Sequence, residues 1–260
     1  MKRLGVTLYS ITSYAVFVAS FLSMIEFLGR DLLPFGLNTG TVTAPLTAVT
    51  IDVALLLLFG AQHSIMARPG FKRRWARLVP SPVERSTYVL LSSLALLLLT
   101  WQWRALPGTV WGITALPGRL FLEGVFWFGV ALTLLSTFQI DHFDLFGLRQ
   151  AWNYLRGLRP APAPLRTPFL YSLVRHPLML GLLITFWATP RMTTGHLLFA
   201  AGMTVYVMVG LHFEERDLVR AFRADYRAYQ AAVPMLIPRL PRATVPRASI
   251  DTPSPTVSAE

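Results

Sequence analysis

Cysteine is absent from this 260-residue chain. That excludes disulfides, thiolate metal sites and a cysteine nucleophile, and it leaves the redox compartment open. Charge is scarce as well, at 14% of residues, with only 13 Asp and Glu. Several chemical signatures are missing. Neither a P-loop nor GxGxxG occurs, so a nucleotide-like ligand would need another holding device. GxSxG is absent, which argues against a serine hydrolase. The five histidines, His63, His142, His176, His196 and His212, form no HxxxH or HExxH pair, so no metal site is expected.

Apolar residues are abundant instead. They make 53% of the chain, and the mean hydropathy is +0.49, too high for a soluble domain of this size. The class expected is an all-α polytopic membrane bundle of about five to six transmembrane helices. Five long apolar stretches lie near 4–28, 46–67, 86–103, 118–140 and 194–213. Each approaches the roughly 20 residues needed to cross about 30 Å of hydrocarbon. A sixth, 178–190, is short. It spans if extended back through Phe169–Tyr171, or else forms half of a hairpin with 194–213. The run at Lys2 and Arg3 is too long for a signal-peptide core.

The net charge of +11 is best read through its distribution. With six crossings and the N-terminus inside, 20 Lys and Arg fall inside and 4 outside. This predicts both termini in the cytoplasm and anionic lipid, rather than nucleic acid, as the partner of the basic residues. Trp101, Trp103 and Trp111 read as interfacial anchors. Residues 147–168 contain "RPAPAPLRTP", an extended connector, and 239–260 read as a disordered tail behind a single domain, 1–238. The oligomeric state is not legible.

Ionisable residues in or beside apolar spans are functional candidates, because lipid makes them costly. His63, Asp141–Asp144, Arg175–His176 and His212–Glu215 fall near the cytoplasmic face on this topology, supplied by four different segments. That convergence suggests a polar pocket between helix ends. Asp52 falls on the outer half of its span, and Glu26 and Glu123 toward the outer side.

Two blocks carry a resemblance: "RHPLMLG" (175–181) and "EERDLVRAFRADYRAYQAAVPMLIP" (214–238). Together they resemble the C-terminal signature of the isoprenylcysteine carboxyl methyltransferase superfamily, roughly RHPxYxG followed by EExxLxxxF…YxxYxxxVPxxIP. "FGAQHSIMARPGFKRRW", "DHFDLFGLRQ" and "FWATPRMTTGHLLFA" are similar, within it, to the bacterial methanethiol S-methyltransferase family. The resemblance implies S-adenosylmethionine as methyl donor, bound at the cytoplasmic face of an inner membrane, and a small thiol converted to its methyl sulfide. A carboxyl O-methyltransferase, or a denitrification-linked membrane protein without methyl transfer, remains an alternative.

By this resemblance the donor is held by Arg175, His176, Pro177, Leu180, Gly181, Glu214, Glu215, Tyr226 and Tyr229. Arg175 and His176 would meet the donor's carboxylate and Glu214, ahead of Glu215, its ammonium or ribose. The tyrosines would stack on adenine or close the pocket. Met179 replaces the signature's tyrosine, and with Phe143 and Trp187 it is expected to line a compact thiol pocket. The thiol needs a base. His142 is expected to serve, oriented by Asp144, with His63 and Asp52 behind it.

Overall fold

The computed structural model describes residues 2–29, 36–158, 165 and 167–238. The expected tail and most of the Ala–Pro connector lie outside these.

Among the described residues, five helices are long and apolar enough to cross a membrane. They are α1 (Lys2–Gly29), α2 (Pro45–Ala67), α4 (Ser81–Gln102), α5 (Leu116–Ile140) and α10 (Thr194–Ala232). Between them come the shorter α3 (Pro69–Trp75), α6 (His142–Leu145), α7 (Leu148–Arg156), α8 (Phe169–Leu173) and α9 (Pro177–Trp187). Proline occupies one of the first two positions of α2, α3, α4, α5 and α9. Its missing N–H costs nothing there, and its fixed φ starts the helix. A closed helical ladder is what lipid demands, since hydrocarbon offers no other backbone partner.

The interfaces between spans use small side chains. Ser10, Ser13 and Ser20 of α1 and Ser86, Ser92 and Ser93 of α4 are buried. Ser86 donates to Ser10 at 2.8 Å, and Ser23 meets Thr100 at 3.1 Å. Small hydroxyl residues let two backbones approach while satisfying each other. Large apolar side chains such as Leu8, Leu22, Leu57, Leu120 and Phe128 are exposed, as lipid-facing positions require.

Short β-pairings mark one end of the bundle. Strand β1 (Thr41–Val42) runs parallel to β2 (Arg104–Ala105), and β3 (Thr109–Gly112) pairs antiparallel with β4 (Arg191–Thr193). Beneath them Phe27, Trp103, Phe186 and Phe199 interlock edge-to-face at 5.4–5.8 Å. Trp103 is therefore core, not the interfacial anchor its neighbours suggested, whereas Trp101 is exposed. Asp52 is also at this end, fully buried and accepting the Arg104 backbone N–H at 2.9 Å.

The segment from α8 to α9 lies along α5. Leu170 N–H donates to the Gln139 side chain at the tail of α5. About twenty residues on, β4 pairs with the strand that precedes α5. The chain thus runs antiparallel to α5, although α9 itself has 11 residues, about 16 Å. It then turns through β4 into α10 as a hairpin.

α10 reverses direction. Arg223 has φ 48° and ψ −113°, a conformation suited to glycine. A straight helix would hold Glu215 and Gln230 about 22 Å apart, yet their side chains are hydrogen-bonded. Arg223 is the turn that folds 224–238 back over the helix. Replacing it with glycine should relieve strain at this position. Set against glycine's larger unfolded-state entropy, the expected gain is about 1 kcal/mol. Thermal unfolding of Arg223→Gly in detergent checks this; a lower Tm would count against it.

Candidate active site

At the end opposite the β-pairings, one carboxylate organises the chain. Glu215 Oε1 accepts from Arg175 Nε at 2.9 Å and from the Tyr226 hydroxyl at 2.9 Å, and lies 2.6 Å from His176 Nε2. Oε2 accepts from Arg175 Nη2 at 3.0 Å and from the Gln230 amide. The Arg175–Glu215 pair is bidentate, the strongest geometry open to these groups. It is also largely buried, with side chains 11% and 12% exposed. Glu215, named second to Glu214 on sequence grounds, is the hub.

The backbone completes this clamp. Arg175 N–H donates to Pro234 O and His176 N–H to Met235 O, at 2.9 and 3.1 Å. Arg175 Nη1 donates to the carbonyls of Gln230 and Val233. Tyr229 donates its hydroxyl proton to Tyr171 O, and Tyr171 reaches Ser136 O on α5. Every guanidinium nitrogen of Arg175 is thereby engaged within the chain. The arginine expected to meet a ligand carboxylate instead holds the returning arm 224–238, and Tyr226 and Tyr229 close the same joint. Gln230, absent from the expected set, sits in the quoted C-terminal block between Tyr229 and Val233. Pro177 does begin a helix as expected, with His176 at its N-cap position.

A cleft of about 670 Å³ adjoins the clamp, lined by Met208, His212, Glu215, Arg216, Arg220 and Gln230, among others. Its size is that of small-molecule sites, and it mixes apolar wall with charged rim. Outside the clamp, Glu214 lies within electrostatic range of Tyr88, Tyr171 and His176. The Tyr88 hydroxyl stands 2.8 Å from His63 Nε2, and His63 Nδ1 is 3.2 Å from Ser92 Oγ. His63 of α2 is thereby hydrogen-bonded to Tyr88 and Ser92 of α4. Tyr88 was not singled out in the sequence, where it is one aromatic in an apolar run.

Other expected members stand elsewhere. His142 is buried, with Nε2 2.8 Å from the Tyr14 hydroxyl and Nδ1 2.8 Å from Thr137 Oγ1. Its ring stacks on Phe138 at 4.2 Å, and burial lowers its pKa. These contacts pin α1 to the end of α5. Asp144 does not orient it: that carboxylate accepts from Gln150 instead, while the Asp144 N–H is capped by Asp141. Phe143 is exposed beside His142. Trp187 ends α9, about 15 Å along the helix from Pro177, and donates to Thr204. Gly181 is packed into α5 rather than facing a ligand. Met179 and Leu180 are half-buried in the first turns of α9. Asp52 belongs to the far end and is removed from the set of bases.

Fold and site together define an all-α integral membrane enzyme whose working groups gather at one end of the bundle. No protein-family model and no solved structure matches the chain. It is 52% identical over 238 residues to methanethiol S-methyltransferase 2 of Bradyrhizobium diazoefficiens, covering 92% of each chain. It is 49% identical over 239 residues to methanethiol S-methyltransferase of Mycobacterium tuberculosis, covering 92% of this chain and 98% of that one. Rat nurim is more distant, 32% identical over 182 residues. The chain belongs to the methanethiol S-methyltransferase family.

Proposed function

We propose that this chain methylates methanethiol, or a similarly small thiol, to dimethyl sulfide with S-adenosylmethionine as donor. The observation that carries the reading is the end-to-end identity with two enzymes named for that reaction. We place the reaction in a single domain, 1–238, at the cytoplasmic face of a bacterial inner membrane. The lopsided basic charge supports this orientation: Arg68, Arg85, Arg175 and Arg216 share the site's end, and Arg104 and Arg191 lie at the other.

The residues present fit the donor. Arg216 and Arg220 rim the 670 Å³ cleft and suit its carboxylate, the role first given to Arg175. Met208, Val219 and Met235 offer an apolar wall for its adenine. Glu214, not consumed by the clamp, suits its ammonium. When bound, the donor supplies an electrophilic methyl on a sulfonium. The chain has no cysteine, so the attacking sulfur is the substrate's own. The new S–CH₃ bond forms as the sulfonium's bond breaks, and a thiolate and a cation become two neutral thioethers. Loss of charge along that path favours a site poor in water.

The thiol proton goes to a base. His63 is the favoured base: its Nε2 meets the Tyr88 hydroxyl, which is within electrostatic range of Glu214. Both histidines have both ring nitrogens against hydroxyls, but those of His142 join α1 to α5. In His63→Asn the rate is expected to fall at least about 100-fold and to lose the acidic limb of its pH profile, while His142→Asn keeps that limb. An unchanged limb in His63→Asn would remove His63 from this role. The overall reading is tested by headspace gas analysis of purified protein given methanethiol and S-adenosylmethionine. Dimethyl sulfide is expected, and its absence from folded protein would overturn the proposal.

A further inference from the structure

A second cleft, of about 740 Å³, opens beside the first and shares Arg216 and Arg220 with it. Four guanidiniums line it: Arg68 and Arg73 from the α2–α3 corner, Arg216 and Arg220 from α10. Asp217 is the one carboxylate among the lining residues. It accepts from Arg68 at 3.3 Å and from Arg220 at 3.1 Å. Among the described residues, neither Arg73 nor Arg216 forms an ion pair. Two guanidiniums are therefore left without an ion-pair partner, and the four arginines with one aspartate give the concavity a net charge of +3. Like charges so placed repel, and an anion between them relieves the repulsion.

Position and shape say which anion. Arg68 caps α2 where its apolar span ends, and its guanidinium lies 4.3 Å above the Phe213 ring. Phe213 is about 29 Å along α10 from Thr194, close to the hydrocarbon thickness of a bilayer. The cleft thus sits at the depth where phospholipid phosphates lie. Its wall is mixed. Pro69, Phe213 and Ala221 supply apolar surface beside the arginines. A free inorganic anion has no use for that surface, whereas a headgroup phosphate continues into glycerol and acyl chains.

We propose that this cleft binds the phosphate of an anionic phospholipid headgroup and so ties the α2–α3 corner to α10. Bidentate guanidinium pairing is the recognition chemistry. The bound lipid bridges two segments that otherwise meet through the Arg68–Asp217 pair at this point, so it stabilises the folded protein. The cleft shares Arg216 and Arg220 with the donor cleft, whereas Arg68 and Arg73 line this one alone, and the test therefore turns on Arg73.

The test uses the full chain, purified in neutral detergent and delipidated. Phosphatidylglycerol, phosphatidylcholine and inorganic phosphate are titrated separately, and Tm and retained lipid by native mass spectrometry are read. Phosphatidylglycerol is expected to raise Tm by about 4 °C or more and to leave lipid bound. Arg73→Gln, an exposed change, should lose most of that shift, and Arg73→Lys should keep part of it. Equal shifts from phosphatidylcholine would overturn the proposal. So would an unaltered response in Arg73→Gln. A shift reproduced in full by inorganic phosphate would show a free-phosphate site and overturn the lipid assignment.

Discussion

Glu215→Ala is expected to destabilise the protein by about 3–5 kcal/mol and to abolish activity. Removing this carboxylate strands the buried Arg175 guanidinium and takes partners from His176, Tyr226 and Gln230 at once. A buried cation with its counterion deleted costs far more than the pair contributed, because water cannot replace the lost partner. The arm 224–238 would keep its backbone bonds to Arg175 and His176 but lose its side-chain anchors. Thermal unfolding in detergent and limited proteolysis are the measurements, and new cleavage within 224–238 is the expected result. Glu214→Gln is the contrast. That carboxylate lies outside the clamp and forms no ion pair among the described residues, so its loss should lower activity while leaving Tm within a degree or two. Equal destabilisation by both changes would refute the division of labour between the two glutamates.

Gly181→Val should be nearly as damaging for a different reason. A β-carbon at Gly181 would stand 2.5 Å from Thr133 Oγ1, 2.7 Å from Thr133 N and 2.8 Å from Gly129 O. One at Gly129 would meet Thr185 Oγ1 at 2.6 Å and Gly181 O at 2.8 Å. The two glycines let α5 and α9 touch backbone to backbone, and backbone cannot give way as a flexible side chain can. Valine would force the helices apart and displace the His176–Pro177 corner that α9 carries. A loss of about 3 kcal/mol is expected, read as a lower Tm with activity falling in parallel. Gly124→Val on the same α5 has nothing within 4 Å of its β-carbon and should be tolerated. Similar Tm values for the two variants would show that the crossing is looser than these distances require.

These two cases show how far the sequence alone reached. It determined the membrane class, the order of the five long apolar spans and the end where charge gathers, and left the short sixth run open between a crossing and a hairpin. Those depend on length, hydropathy and the one-dimensional placement of arginine, which lipid reads directly. It also drew together Arg175, His176, Glu215, Tyr226 and Tyr229, because two blocks of the chain carry them. The tertiary structure alone decided their roles. Glu215 became the hub, and Arg175 turned inward, because Arg223 reverses α10 and returns Gln230 and Val233 to it. His142 went to α1, Gly181 to α5, and His63 to Tyr88 and Ser92 of α4. Side-chain partners across helices depend on crossing position and rotation about each axis. Periodicity leaves both undetermined when a span is apolar on every face.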